Sequence, residues 1–114
     1  MEARAIHRFI PSSPRKMRLV IDLIRGISVE KAIEILHFQP KHASKDAEKV
    51  LRSAVANLMN KDENTRVDPA DLIVKEAYVN QGPTLKRISP APMGRAYKIR
   101  KRACHLTIVV ATKA

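Results

Sequence analysis

The residues with the clearest chemical potential are basic side chains in the last third of the chain. Between Gly82 and His105 the sequence reads GPTLKRISPAPMGRAYKIRKRACH, which contains no Asp or Glu. Guanidinium and ammonium groups form charge-assisted hydrogen bonds with phosphate oxygens, and their binding releases the counterions of a polyanion. The stretch therefore predicts a surface for an anionic partner. Its basic residues are Lys86, Arg87, Arg95, Lys98, Arg100, Lys101 and Arg102.

A second basic cluster lies at the start of the first predicted helix. Ser13 is a good helix N-cap, and Pro14 suits the first helical position. Arg15, Lys16 and Arg18 follow, although the positive end of a helix dipole disfavours cations. A phosphate bound there would reverse that preference, because free backbone N–H groups and basic side chains would converge on it. We favour this interpretation over the alternative, a set of solvated charges tolerated at a small cost.

Residues that could support catalysis or bind a metal do not form a recognisable constellation. The histidines lack metal-ligand spacing with one another and with the single cysteine, and the three glycines are too far apart for a phosphate-binding loop. Cys104 and His105 are neighbours in a predicted strand, so their side chains point to opposite faces. We therefore predict a protein that is not an enzyme and that has no metal and no cofactor. The histidines are His7, His37, His42 and His105.

Composition limits what the basic residues can be attached to. The chain has 114 residues, of which 45% are apolar and only 4% aromatic, so we expect a single domain with a small aliphatic core. The formal net charge is +11, and residues 77–114 contribute +8 of it. No signal peptide or long apolar run is evident, which predicts a soluble, intracellular protein without membrane partners. One cysteine excludes an internal disulfide.

The first two thirds of the chain predict one strand and three helices. Alternation over residues 3–10 favours a strand. A helix follows from Pro14 towards Gly26, with Leu19 and Leu23 widening its apolar face. Ser28 can cap a second, shorter helix, and the third and longest extends from about residue 41 to residue 60. Residues 60–71 form a polar loop. Further apolar positions of the three helices are Met17, Val20, Ile21, Ile24, Val29, Ala32, Ile33, Leu36, Ala43, Ala47, Val50, Leu51, Ala54, Val55, Leu58 and Met59.

Two apolar runs flank the basic stretch and predict a long hairpin. Residues 72–79 and 106–111 are rich in β-branched side chains, which favours strands. We define residues 82–104 as the arm and expect residues 1–81 and 105–114 to form the body. At about 3.3 Å per residue the arm reaches on the order of 25 to 30 Å beyond the body. An isolated ribbon is marginally stable in water, so we expect a partner to order it. The fold class is α+β, with a small three-stranded antiparallel sheet packed on three helices.

The quoted segments also resemble a known family. SPRKMRLVIDLIRG near the start and GPTLKRISPAPMGRAYKIRKRACHLTIVV near the end are similar to the L-twenty-two family of large-subunit ribosomal proteins, in its bacterial form. The resemblance covers essentially the whole chain. It implies a structural, non-enzymatic protein of the cytoplasmic ribosome that binds large-subunit rRNA early in assembly. It also implies a body near the outer end of the peptide exit tunnel and an arm that threads through rRNA to line the tunnel wall.

The resemblance assigns roles to individual residues. It implies rRNA contacts at Ser13, Pro14, Arg15 and Lys16 and along the arm at Lys86, Arg87, Arg95, Lys98, Lys101 and Arg102. We add Arg4, Arg8, Arg18, Arg100 and His105 to the predicted rRNA-binding residues. The tunnel-facing tip would comprise Ile88, Ser89, Pro90, Ala91, Pro92, Met93 and Gly94. Relatives often have basic residues where this chain has Ala91 and Met93. The implied partners are rRNA, neighbouring large-subunit proteins and, at the tip, the nascent peptide, with no self-association.

Two other classes of protein share some of these features. A DNA-architectural protein can use a proline-tipped ribbon in the minor groove, but such proteins are usually dimers, and no self-complementary apolar face is evident here. A membrane-surface protein would need a basic amphipathic helix with bulky apolar anchors. The basic residues of this chain are concentrated on the predicted hairpin instead.

Overall fold

A three-stranded antiparallel sheet organises the fold, and two of its strands continue outward as the arm. The computed structural model describes residues 2–61, 69–90 and 92–112. The strands are β1 (Glu2–Ile10), β2 (Leu72–Pro90) and β3 (Ala96–Thr112), in the order β1-β3-β2. The helices are α1 (Pro14–Ile21), α2 (Val29–Phe38) and α3 (Ala43–Lys61), with short 3-10 turns at Pro69–Asp71 and Pro92–Gly94. The predicted α+β class, the three helices and the protruding hairpin are confirmed.

The helices cover one face of the sheet, because alternate residues of its strands are apolar. In the central strand β3 the side chains of Leu106, Ile108 and Val110 are completely buried. Successive side chains of a strand point to opposite faces, so the intervening residues lie on the other face. We call this second surface the open face. It includes Arg4, Ile6, Tyr78, His105, Thr107 and Val109, which are aligned across the three strands.

The start of α1 is formed as the sequence predicts, but its end is not. Ser13 is the N-cap, with its hydroxyl accepting a hydrogen bond from the Lys16 backbone N–H at 3.4 Å. The helix ends at Ile21, and the residues up to Gly26 form tighter turns. Gly26 has a φ of 81°, and its N–H bonds to the Val74 carbonyl at 3.0 Å. The predicted extension of α1 to Gly26 is therefore wrong, because the chain turns early to hydrogen-bond with β2.

Three apolar residues predicted to be buried are substantially exposed. Leu19 is 54% exposed, Leu23 46% and Met59 38%. Leu19 lies two positions after the fully buried Met17, which places it about 200° away around the helix. Leu23 falls in the turns after the end of α1, and Met59 is at the edge of the buried stripe of α3. The buried face of α1 is therefore narrower than the sequence suggests.

The start of α2 and the segments before and after α3 differ in how closely they match the predictions. Ser28 occupies the N-cap position of α2, although its side chain makes no capping hydrogen bond. At the start of α3, the Ser44 hydroxyl donates to the Lys41 carbonyl at 2.6 Å, which fixes the connection between α2 and α3.

Of the predicted loop at residues 60–71, positions 62–68 lie outside the described residues. Among the described residues, no helix has both the length and the hydropathy needed to cross a membrane.

The arm continues β2 and β3 without a break in chain direction. Pairing between the two strands extends to Pro90 opposite Ala96, with register shifts between Val74 and Glu76 in the body and between Gln81 and Thr84 at the start of the arm. There Gly82 lies so close to the other strand that a Cβ atom would be 3.1 Å from the Ala103 backbone. The molecule measures 66 × 24 × 16 Å, and its radius of gyration is 17.3 Å. A compact chain of this length has a value of about 13 Å, so the arm dominates the shape.

Candidate nucleic-acid interface

The strand register gives the arm two chemically different faces. Residues directly opposite each other in an antiparallel pair share a face, and the face alternates along the strand. One surface, the basic face, has four cations and no aromatic residue. Leu85, Tyr97 and Ile99 lie on the opposite surface with two further cations, Arg87 and Lys101. The cations of the basic face are Lys86, Lys98, Arg100 and Arg102.

Like charges confront each other on the basic face. Lys86 is directly opposite Arg100, and such pairs destabilise a ribbon. The ion pairs found in the described part of the chain, such as Lys75 with Glu2, join residues of the body, and none includes a cation of the arm. The Lys75 ammonium lowers the pKa of the Glu2 carboxyl, as expected for a satisfied pair. The charge of the arm is thus left for an external anion to neutralise.

A groove at the base of the arm brings together three segments that are distant in sequence. It has a volume of about 640 Å³, and no acidic residue in the described chain lines it. The start of α1, the residues just before α3, and β3 where it enters the arm all border it. Because two helix N-termini face the groove, backbone dipoles add to its positive potential. Its polar and basic lining comprises Ser12, Ser13, Lys16, Lys41, His42, Arg100, Lys101 and Arg102.

The predicted residues at the start of α1 occupy different environments. Lys16 lines the groove, and Arg15 is exposed beside it in sequence. Pro14 is buried, so its side chain starts the helix and has little surface for a partner. The Ser13 hydroxyl is engaged in capping. The side chains free to meet an anion at this turn are therefore the basic ones.

Four other predicted residues lie outside the groove. Arg4 and Arg8 are exposed on β1. The Arg18 guanidinium donates to the Val79 carbonyl at 3.0 Å, which ties α1 to β2 just before the arm begins. His105 is on the central strand β3, where its Nδ1 atom accepts a hydrogen bond from the backbone N–H of Phe9 on β1 at 3.0 Å. Arg18 and His105 thus have structural contacts in addition to any role in binding.

The tip is exposed and has an unusual backbone. Met93 is 95% exposed, and its φ of 65° lies in the left-handed region that non-glycine residues rarely adopt. Gly94 has a similar φ of 72°. Ile88 is 75% exposed, whereas Ala91 lies outside the described residues. The tip therefore presents the apolar side chain of Met93 beyond the paired strands, whereas Ile88 lies directly opposite Lys98, where the cations of the strands end.

The groups that could have supported catalysis are not arranged for it. Cys104 is buried, and burial raises the pKa of its thiol, which disfavours the reactive thiolate. Its neighbour His105 is on the open face of the sheet, as the alternation predicted. Within the described residues no cluster of three His, Cys, Asp or Glu side chains could hold a metal ion.

Comparison with known proteins identifies the family. The family model described as ribosomal protein L22p/L17e matches residues 5–111. The chain is 54% identical over 112 residues to the large ribosomal subunit protein uL22 of Chlorobium phaeobacteroides, covering 98% of this chain and 96% of that protein. It is 52% identical to the uL22 of Clostridium novyi over 114 residues and the full length of both chains. The chain belongs to the ribosomal protein L22p/L17e family.

Family membership settles the broad class of function. The chain is a structural, non-enzymatic protein of the large ribosomal subunit, and it is therefore a ribonucleoprotein component of the cytoplasmic translation machinery. The resemblance inferred from the sequence motifs is confirmed. Association with rRNA and with other ribosomal proteins follows from this membership.

Two residues that line the groove, Lys41 and His42, were missed by sequence reasoning. Lys41 and His42 lie just before the N-terminus of α3, much as Arg15 and Lys16 lie in the first turn of α1. A basic residue beside a helix N-terminus was therefore the sequence signal that could have identified them. The signal was weak because α3 has charges of both signs, which favoured a solvated surface. Only their position in the folded chain, where they line the same groove as residues of β3, distinguishes these two residues from the charged residues of α3.

Repulsion between Lys86 and Arg100 should make the arm less stable in the free protein, and this can be tested by substitution. Substitution Arg100→Glu would place opposite charges across the ribbon, a change worth about 0.2 to 1 kcal/mol. We expect slower amide hydrogen exchange in the arm at low salt, with the difference reduced at high salt by screening. Arg100→Gln, which removes repulsion without adding attraction, should give intermediate rates. Equal rates for all three proteins at low salt would contradict the electrostatic explanation.

Proposed function

We propose that the groove and the basic face of the arm form one continuous rRNA-binding surface. The observation that carries the proposal is the groove itself, where cations from α1, from the segment before α3 and from β3 meet without an acidic residue in its described lining. Arg100 and Arg102 belong both to the groove and to the basic face. A single phosphate backbone could therefore follow the groove and continue along the arm.

The chemistry of this surface suits double-helical RNA. The major groove of A-form RNA is too deep and narrow for side chains to read, so proteins recognise such helices through phosphates, 2′-hydroxyls and shape. The proposed surface has many cations and few aromatic residues, which favours phosphate contacts over base readout. In this proposal the chain is one domain, in which residues 1–81 and 105–114 form the body and residues 82–104 form the arm.

The salt dependence of rRNA binding tests this proposal. If about six phosphates are neutralised, a plot of log affinity against log salt should have a slope near −4 to −5. The double substitution Lys101→Glu and Arg102→Glu should weaken binding and make the slope less negative by about 1.4 to 1.8, because two phosphate contacts are lost. A filter-binding titration with a large-subunit rRNA transcript measures both quantities.

A matched control distinguishes local contacts from total charge. Lys31 and Lys49 are exposed on α2 and α3 and do not line the groove. The substitutions Lys31→Glu and Lys49→Glu together change the net charge by the same amount and should leave the slope nearly unaltered. A wild-type slope in the Lys101 and Arg102 variant would contradict the proposed surface, as would an equal loss in the control. Stronger binding to duplex DNA than to rRNA would favour an architectural role on DNA.

The tip has a separate role in this proposal. We place the arm in the wall of the peptide exit tunnel, where the exposed Ile88 and Met93 would face the nascent peptide. Support comes from the position of Met93 beyond the paired strands that bear the cations, because an anchor on phosphates leaves the end of the hairpin available for another contact. The chain would function as one copy per subunit.

Deletion of the tip tests its placement. Removing residues 88–93 should leave subunit assembly largely intact, because the proposed rRNA contacts lie on the strands and in the groove. The reconstructed large subunit should then have a wider tunnel where the tip had been. An unchanged tunnel outline, in particles shown by mass spectrometry to contain the shortened protein, would contradict the tunnel assignment.

A further inference from the structure

Phe9 combines an exposed aromatic ring with an unfavourable backbone conformation. Its φ is 59°, in the left-handed region, and its side chain is 64% exposed. The residue lies in a β-bulge, where pairing shifts between His7 opposite Leu106 and Ile10 opposite Cys104. Because the ring is largely exposed, packing in the core does not offset the cost of a bulky residue with a positive φ. Backbone strain at such a position is a reason to look for a function.

His105 holds the Phe9 ring in a defined position. The Nδ1 atom of His105 accepts the Phe9 backbone N–H at 3.0 Å. The two rings are also in edge-to-face contact, with their centroids 5.0 Å apart and their planes at 90°. One side chain thus satisfies the N–H freed by the bulge and supports the aromatic ring. Phe9 is consequently a preorganised apolar surface, which lowers the entropy lost when a ligand binds.

The surroundings of Phe9 are free of acidic groups in the strand register, on the open face with His105. Arg8, which precedes it, is exposed, and the groove begins two residues later at Pro11. Across the sheet His105 pairs with the uncharged Asn80. Tyr78, an exposed aromatic residue of the open face, is instead two residues from Glu76 on the same strand face. The charge around Phe9 therefore suits a ligand with a phosphate backbone.

We propose that Phe9 is a stacking platform for an unpaired nucleobase of rRNA, and that His105 positions its ring. The inference rests on the proposed rRNA-binding function and adds a base contact to a surface otherwise described by its phosphate contacts. Unstacked bases in loops and bulges pack on aromatic side chains, since every base has a π-face. The exposed Arg8, which precedes Phe9, is the nearest cation in sequence for a phosphate that flanks such a base.

Binding measurements with ring-deleting variants test the inference. Phe9→Leu should weaken binding to a large-subunit rRNA transcript by about 5-fold or more, the lower end expected for one base–aromatic stack. The salt slope should stay at its wild-type value because no charge is removed. Phe9→Tyr, which keeps the ring, should bind as the wild type does. Tyr78→Leu, the matched change elsewhere on the open face, should also have no effect.

A second variant keeps the test independent of folding. Phe9→Asn removes the ring but places a residue that adopts the left-handed region more readily, so its thermal unfolding should show an intact fold. It should lose affinity as Phe9→Leu does. In chemical probing of the rRNA, one unpaired nucleotide should be protected by the wild type and by Phe9→Tyr but remain reactive with Phe9→Leu and Phe9→Asn.

The possible outcomes separate this inference from the wider proposal. Wild-type protein that fails to bind rRNA in a salt-dependent manner would overturn the proposed function itself. Normal wild-type binding together with unchanged affinity and protection in both ring-deleting variants would overturn only the role of Phe9. If those variants bind rRNA normally but enter large subunits poorly, Phe9 contacts a neighbouring protein instead, and the stacking inference is wrong.

Discussion

Repulsion among the cations of the arm is the constraint on which the rest of the structure depends. Lys86 and Arg100 face each other across a two-stranded ribbon, and residues 77–114 contain no acidic side chain. A chain could relieve this repulsion with a few carboxylates, as the body does where Glu48 accepts hydrogen bonds from Arg52 at 2.9 and 3.2 Å. The arm retains its charge instead. We propose that its stability in the extended form is linked to a polyanionic partner, which for a ribosomal protein of this family would be rRNA.

The body makes such an arm possible by providing a firm base. Strand β3 is central in the sheet and fully buried at Leu106, Ile108 and Val110, and it continues outward into the arm. Arg18 and Gly26 add hydrogen bonds from the α1 region to β2 at Val79 and Val74. The aliphatic core thus fixes the direction in which both strands leave. It also fixes α1 and the residues before α3 beside β3, so that the groove exists before any ligand binds.

Much of this arrangement could be predicted from local patterns. Alternating and helical periodicities located the strands and helices, and Ser13 with Pro14 gave the start of α1. The end of α1 was wrong because Gly26 is used for a hydrogen bond with β2, a tertiary contact that no local signal encodes. Lys41 and His42 were missed for the same reason, since their partner β3 is about sixty residues away. In the sequence Phe9 resembles an ordinary strand residue. Only its positive φ and its contacts with His105 in the structure single it out as a candidate binding residue. Local sequence thus predicts elements well and predicts poorly the contacts that bring distant segments together.

The central claim is that phosphate binding relieves the repulsion of the arm and orders it. The most direct measurement is amide hydrogen exchange in residues 84–90 and 96–102 of the wild-type protein, free and bound to a large-subunit rRNA transcript. This account predicts weak protection in the free arm that improves as salt is added, and strong protection on binding. It also predicts little change in the buried strand residues of the body. Strong protection in the free arm at low salt, unchanged by rRNA, would contradict it.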